Sequence, residues 1–393
     1  MSQQLISHSP DLKRLRDEGY EIEIKGGYLL VHHIPYLNNM KEIKYGVLVS
    51  ELTLSSNTLT SKPNTHVIFF IGEYPCNKDG TIIAPIQHAS QNKTLHEGIT
   101  INHSFSNKPP NGYSDYYHKV TRYTDIISAP AKSIDHTVSE ITNKLIPDND
   151  PQSVFNYLDT NSSRANLNLI TSKFNDQKIA IVGLGGTGAY ILDLIAKTPV
   201  KEIHIFDGDD FLQHNAFRSP GAPSDEQLSK KMRKVNYFKD IYSRMHKGIV
   251  SHEYYLNESN IQELSQMNYV FICVDRNTVR KIVIDYLLGR GISFLDVGLG
   301  VNVVDNFLIG TLRLTIGTSL KNDHLAKRIS GTDGELENEY STNIQIADLN
   351  ALNAALAVIK WKKMSGFYQD LEREHHCTYS LNVAQLLNED VTA

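Results

Sequence analysis

The residues of this chain whose types and spacing could do chemistry concentrate between Lys178 and Arg218, in KIAIVGLGGTGAYILDLIAKTPVKEIHIFDGDDFLQHNAFR. Gly183, Gly185, Gly186 and Gly188 follow an apolar run, Ile179 to Val182, and precede a segment with an apolar face of Ile191, Leu192, Leu194 and Ile195. A glycine turn between strand and helix lets backbone N–H groups approach phosphate oxygens at a helix N-terminus. A second strand-like run, Glu202 to Phe206, ends at Asp207, 19 residues after Gly188. Dinucleotide folds place an acidic residue about 20 residues on, where it binds a ribose hydroxyl. Asp209, Asn215 and Arg218 come just past that run, where a phosphoryl-transfer site needs polar and cationic groups. Strand, turn, helix, strand and terminal acid in this order predict a nucleotide site rather than an ordinary tight turn.

The run resembles the ThiF/MoeB family of adenylating enzymes, which includes the ubiquitin-activating enzymes. Members carry GxGGxG, then D-x-D, then an Asn and an Arg three residues apart; here these are GLGGTG, Asp207-Gly-Asp209 and Asn215-Ala-Phe-Arg218. The resemblance spans about residues 165–365 and departs at Ser219, where many relatives have Gln, and in a longer segment before the next lysine. It implies that a C-terminal carboxylate attacks the α-phosphate of ATP and pyrophosphate leaves. The nucleophile is already an anion, so catalysis rests on position and charge neutralisation. Arg218 and Asn215 then contact the phosphates, and a planar, always charged guanidinium suits that task. Asp207 binds the ribose, and Asp209 does the same or orients Arg218. Lys234 is the best match for the family's helix-opening lysine, with Lys230 and Lys231 as competitors. Asp275, at the end of the apolar run Tyr269–Val274, matches the acid that holds Mg²⁺; Arg276 follows it where relatives often have Asn. Arg164 matches an N-terminal arginine that relatives insert into the partner subunit's site, which implies a homodimer.

Other family features are missing. No CxxC pair is present, so no structural zinc is expected. Ubiquitin-activating relatives pass the acyl group to a cysteine, but the corresponding loop, about residues 317–343, has no cysteine; it has Ser319, Ser330, Thr332, Ser341 and Thr342 among its hydroxyl groups. Of the three cysteines, Cys273 reads as core, Cys76 sits in a polar turn that would leave it accessible, and Cys377 follows two histidines that could depress its pKa. Direct transfer from the adenylate, an oxyester on Ser or Thr, and an unusual thioester therefore all stay open. His375-His376-Cys377 reads as an exposed polar turn after a helix rather than a metal site.

The elements that must position these residues alternate from Lys178 onward: a helix over about 232–246, a strand over 269–274, a helix over 279–288, a strand over 294–297, an antiparallel segment from 307 to 316, and a long helix over 346–363. The expected fold is α/β: a Rossmann-like ThiF-type adenylation domain (residues 166–393), mostly parallel sheet flanked by helices. A smaller α+β N-terminal domain (1–135) and a turn-rich linker or arm (136–165) precede it. In the first part, a short helix capped by Asp11 leads into strands over 21–24, 28–32, 46–54 and 66–71, with Gly26-Gly27 as a hairpin turn. Residues 84–130 read as polar, with an aromatic and basic cluster around Tyr113 and Tyr123. This order vaguely resembles a ubiquitin-conjugating enzyme. Its combination with a ThiF-like half resembles bacterial proteins of ubiquitin-like modification operons.

A net charge of −5 argues against a nucleic-acid partner, no uncharged apolar stretch is long enough to cross a membrane, and three cysteines in 393 residues fit a reducing cytoplasm. The leading expectation is ATP·Mg²⁺-dependent adenylation of the C-terminal carboxylate of a small ubiquitin-like protein, with a conjugating enzyme as a further partner. The alternatives are an adenylating peptide-modifying enzyme, an NAD-dependent oxidoreductase and a non-catalytic scaffold.

Overall fold

Gly26 and Gly27 adopt φ of +56° and +81° and turn the chain between β1 (Ile22–Lys25) and β2 (Tyr28–Leu37). The two strands pair antiparallel outward from Lys25 and Tyr28, so the turn starts the first sheet. The chain divides into two units, Met1–Ile146 and Pro147–Ala393. This computed structural model describes residues 2–56, 58–146, 151–165, 167–329 and 344–392.

In the first unit the chain continues through β3 (Ile43–Glu51), a small β4–β5 ladder (Leu54–Ser56, Leu59–Thr60), β6 (Val67–Ile71), β7 (Gln87–His96) and β8 (Ile99–Ser106). The main sheet is antiparallel with order β1-β2-β3-β6-β8-β7. Helices Pro10–Asp17 and Tyr116–Lys132 bring Leu12, Leu15, Tyr116, Val120 and Tyr123 onto Leu29, Val31, Ile68 and Phe105, all buried in one cluster. The sequence reading of four strands stops short of β7 and β8. β7 is exposed along nearly its whole length, so it carries no apolar alternation. Asp11 does not cap its own helix: Ser9 holds that position. Its Oδ2 instead accepts from the backbone N–H of Tyr116 at 3.0 Å, tying the two helices together. The aromatic cluster is core, with Tyr116 and Tyr123 fully buried.

The second unit is an eight-stranded sheet of order β11-β10-β9-β12-β13-β14-β15-β16. β9 (Lys178–Val182), β10 (Glu202–Phe206), β11 (Ile249–His252), β12 (Tyr269–Ile272) and β13 (Ser293–Val304) run parallel. β14 (Phe307–Gly317), β15 (His376–Ser380) and β16 (Gln385–Glu389) extend the sheet antiparallel. Both faces of the parallel part are covered, which is why its strands read as near-continuous apolar runs. On one face Ile179 and Ile181 meet Ile191, Leu192, Phe238 and Trp361. On the other, Ala180 and Val182 meet Val270, Val283 and Leu287.

Two expectations are corrected. β12 ends at Ile272, three residues before Asp275, rather than at 274. Residues 375–377 are not an exposed turn: all three are buried, and His376-Cys377 opens β15. The helices expected over 232–246, 279–288 and 346–363 run Lys234–Tyr242, Asn277–Arg290 and Ala347–Met364.

Candidate active site

β9 delivers the chain to Gly183, whose φ of +92° suits glycine, and a Cβ there would stand 2.8 Å from the Cys273 carbonyl oxygen. At Gly188 a Cβ would collide with the carbonyl oxygen of Gly183. These two positions make the turn from β9 into the helix Gly186–Ile195 tight enough to sit over the ends of β9 and β12. Gly185 is the residue before that helix and, with Gly186, walls the adjoining space.

Two cavities meet at this turn. One, of about 180 Å³, is walled by Gly183 and Gly185 with Asp207, Asp209, Arg218 and Lys234. The other, of about 340 Å³, is walled by Gly185 and Gly186 with Arg280, Gly298, Arg313 and Asn353. Gly185, Cys273, Val274, Asp275 and Gln345 line both.

In the first cavity, Asp207 is buried at the end of β10. Its Oδ2 accepts the N–H of Leu184 at 2.7 Å and its Oδ1 that of Asp209 at 2.8 Å. Burial raises its pKa, against the pull of Lys234 and those N–H groups. Lys234 opens its helix, is itself buried, and places Nζ 2.7 Å from Asp209 Oδ2 and 3.7 Å from Asp207 Oδ1. Burial pushes the Asp209 carboxyl up, but hydrogen bonds from Lys234 and Tyr255 outweigh it and hold it below its ordinary value. The Tyr255 hydroxyl is raised to about 12, chiefly by that bond. Of the three candidate lysines, only Lys234 lines this cavity; Lys230 pairs with Glu226 on the surface and Lys231 is exposed. Asp209 therefore binds Lys234 rather than orienting Arg218.

Asn215 is buried and spends its Oδ1 on the N–H of Leu212 at 2.8 Å. Its backbone carbonyl accepts from Arg218 N at 3.1 Å and Ser219 Oγ at 2.7 Å. Asn215 thus shapes the short turn that carries Arg218. The Arg218 carbonyl is gripped by Asn350 Nδ2 at 3.3 Å, and Asn350 Oδ1 accepts from Thr187 Oγ1 at 2.9 Å. Arg218 lines the cavity, and its buried Nε has no hydrogen-bond partner among the described residues. Asp275 is exposed to both cavities and does not cap the following helix, since Arg276 occupies that position. Arg164 ends the short helix Thr160–Arg164, and its side chain lies outside the described residues.

The second cavity is built on residues the sequence reading passed over. Asp296, fully buried on β13, is clamped by Arg280 Nε at 2.9 Å and Arg313 Nη2 at 2.6 Å. Asn353 Nδ2 donates to the Gly298 carbonyl at 3.0 Å, and its buried Oδ1 has no donor among the described residues. Gln345 Oε1 is likewise buried with no donor among them. Two orphaned acceptors beside a glycine-lined strand favour a ligand rich in N–H donors, such as an extended peptide. The spacing of Asn350 and Asn353, three residues apart and buried in the first half of the helix Ala347–Met364, was the available signal.

Two of the cysteine readings, Cys76 and Cys377, are corrected, and Cys273 packs against the core as expected. Cys76 is buried, its Sγ 3.3 Å from the Tyr74 carbonyl oxygen, and burial raises its pKa. Cys377 is not activated by its histidine neighbours: burial pushes its thiol up to about 11. Cys273 is also raised by burial. Ser319 is described, but Ser330, Thr332, Ser341 and Thr342 lie outside the described residues.

The order of β9, glycine turn, helix, β10 and acid is also what the sequence comparison recognises. Residues 162–302 form a ThiF family domain. Residues 10–160 match a domain of unknown function, DUF6791. The ThiF domain thus begins before β9 and ends within β13. No curated protein sequence matches the chain. Among solved structures, E. coli MccB with MccA-N7isoASN is 15% identical, covering 58% of this chain and 68% of its own, with a TM-score of 0.46. E. coli MccB with ATP is 16% identical, covering 57% and 66%, at 0.45. PaaA is 15% identical, covering 57% and 76%, at 0.44. Within the second unit, residues 162–302 thus carry the ThiF family match, over a mostly parallel sheet covered on both faces.

Proposed function

We propose that the chain uses ATP·Mg²⁺ to adenylate the C-terminal carboxylate of a small ubiquitin-like protein, as a homodimer. The observation that carries this reading is Arg218: its Nε is buried without a partner among the described residues, at a cavity that Gly183 and Gly185 also line. Leaving a buried donor unmade costs about 1–3 kcal/mol, so the position favours an anion that supplies the acceptor. A polyphosphate lying on the glycine turn is such an anion, and the ThiF family membership of residues 162–302 supports ATP as its source.

In this reading Asp207, with Lys234 beside it, faces the ribose end of the cavity. Arg218 neutralises charge on the α-phosphate as the incoming carboxylate attacks and pyrophosphate leaves. No base is needed, because the nucleophile carries no proton to remove. The second cavity receives the tail, with Asn353 Oδ1 and Gln345 Oε1 accepting its backbone N–H groups. Among the described residues no group of three or more His, Cys, Asp or Glu side chains could hold a metal. A lone exposed carboxylate such as Asp275 nonetheless fits Mg²⁺, which nucleotide sites hold by one or two carboxylates plus phosphates. Bound there, Mg²⁺ would neutralise phosphate charge. Against the NAD reading, Asn215, Arg218 and Asp275 make a phosphate and metal set that a dehydrogenase does not need.

The buried, alkaline-shifted thiols favour transfer without an enzyme thioester. They equally fit the second reading, in which the adenylated carboxylate belongs to a peptide. The deciding experiment mixes the protein with ATP·Mg²⁺ and a purified ubiquitin-like protein or a free peptide and weighs the products intact. Adenylate on the ubiquitin-like protein supports the first reading and adenylate on the peptide alone the second. Absence of both, with no ATP–pyrophosphate exchange, rejects adenylation. Asp275→Ala should abolish exchange while leaving the circular dichroism spectrum unchanged; normal exchange would remove Asp275 from the metal role.

A further inference from the structure

The first unit holds a pair of side chains that meets the geometric requirement for a nucleophile and its base. Across the β7–β8 ladder Ser90 Oγ lies 2.9 Å from His103 Nδ1, within the 2.6–3.2 Å reach of a general base. The ladder is irregular there: Ser90 faces His103, but Lys93 faces Ile101, so β7 carries one extra residue. Bulges of this kind re-aim side chains and are over-represented beside active sites. Ser90 and His103 both line an open cavity of about 810 Å³, together with Tyr36, Lys44, Glu73 and Asn92.

The base is held in place. The His103 ring meets Tyr74 edge-on at 5.0 Å and stacks with Phe105 at 6.2 Å. Burial lowers its pKa, against a backbone hydrogen bond with Gly72, which favours the neutral ring a base requires. Nearby, Asn102 Oδ1 accepts the Gly72 N–H at 2.9 Å and Asn102 Nδ2 donates to Asn92 Oδ1 at 3.0 Å. That chain leaves the Asn92 Nδ2 group as a donor at the cavity wall. The same ladder contains a control: His88 Nδ1 lies 2.9 Å from Ser104 Oγ, but Ser104 is buried and is not among the residues lining this cavity.

We infer that Ser90 is an acyl-accepting nucleophile with His103 as its general base, a second reactive site for activated carboxyl groups. Ser90 Oγ attacks the carbonyl carbon and its proton passes to His103 Nδ1. The bond from that carbon to the leaving oxygen breaks, the leaving group departs with the electron pair, and a serine oxyester remains. That the natural donor is an acyl adenylate, with AMP leaving, rests on the function proposed above. The nucleophile itself does not.

The test treats the full-length protein with p-nitrophenyl acetate and locates the acetyl group by tandem mass spectrometry. Acetylation at Ser90 is expected, lost in Ser90→Ala and retained in Ser104→Ala. In His103→Gln it should slow by at least about 100-fold, the usual scale of a general base. No acetyl group on Ser90, or an unchanged rate in His103→Gln, overturns the inference. Should His103→Gln fail to fold, Ser90→Cys replaces it: its new thiol should react with iodoacetamide faster than free cysteine at pH 7, and an equal or slower rate overturns the inference. ATP–pyrophosphate exchange separates the two readings. Exchange retained without Ser90 acetylation sinks this inference alone; acetylation retained without exchange sinks only the adenylation reading.

Discussion

Arg218 and Lys234 are two cations in one cavity with opposite circumstances. Lys234 is ion-paired with Asp207 and Asp209, whereas the buried Arg218 Nε has no hydrogen-bond partner among the described residues. Arg218→Ala should therefore slow ATP–pyrophosphate exchange by roughly 100- to 1,000-fold, the scale of removing one preorganised donor, while ATP binding by calorimetry weakens far less. An unchanged exchange rate would remove Arg218 from the transition state. The thiols lead to a second expectation. Burial raises Cys76, Cys273 and Cys377 alike, so little thiolate exists at pH 7.5. The folded protein should resist iodoacetamide, and all three cysteines should alkylate in urea. Rapid native labelling of any one would reopen a thioester route.

Elements are joined by single buried polar groups, and His246 is the clearest case. It sits between the helix Lys234–Tyr242 and β11, fully buried; its Nε2 is 3.0 Å from the Val200 carbonyl and its Nδ1 accepts the Gly248 N–H at 3.0 Å. Those partners require the neutral ring with its proton on Nε2. Burial lowers its pKa from 6.5 to about 4, against the Val200 hydrogen bond. Between these values the unfolded chain binds the proton and the folded one does not. The contribution is complete above about pH 6.5 and is lost as pH falls toward about 4; a shift of this size is worth roughly 3 kcal/mol. Urea unfolding at pH 7, 5.5 and 4.5 should show that loss, with a shallower dependence in His246→Gln. Equal slopes would assign the acid sensitivity to other groups.

At the scale of the whole molecule, each unit has its own core, and every residue lining the two cavities at the glycine turn belongs to the second. A fragment of residues 151–393 should unfold cooperatively and bind ATP as tightly as the full chain. A fragment of residues 1–146 should unfold cooperatively without ATP binding. Failure of 151–393 to fold would show that the two units depend on each other. No helix among the described residues is long and apolar enough to cross a membrane.

The amino-acid order alone determined the glycine turn, the strands it joins, and the acid at the end of β10, because these are local: spacing, strand-length apolar runs and glycine freedom act within about 30 residues. The Gly26-Gly27 hairpin was legible for the same reason. The structure brings Gly185, Asp207, Arg218, Lys234 and Asp275 to one cavity, as their resemblance to the ThiF pattern implied. Tertiary structure decided what depends on partners far along the chain. It selected Lys234 over Lys231 because a helix starts at the former and aims Nζ at two carboxylates. It set Asn350, 163 residues beyond Thr187, under the turn that carries Arg218. It buried Cys377 in a strand, so desolvation rather than its histidine neighbours sets the thiol's acidity. Burial is a property of the packed chain, and no window of sequence contains it.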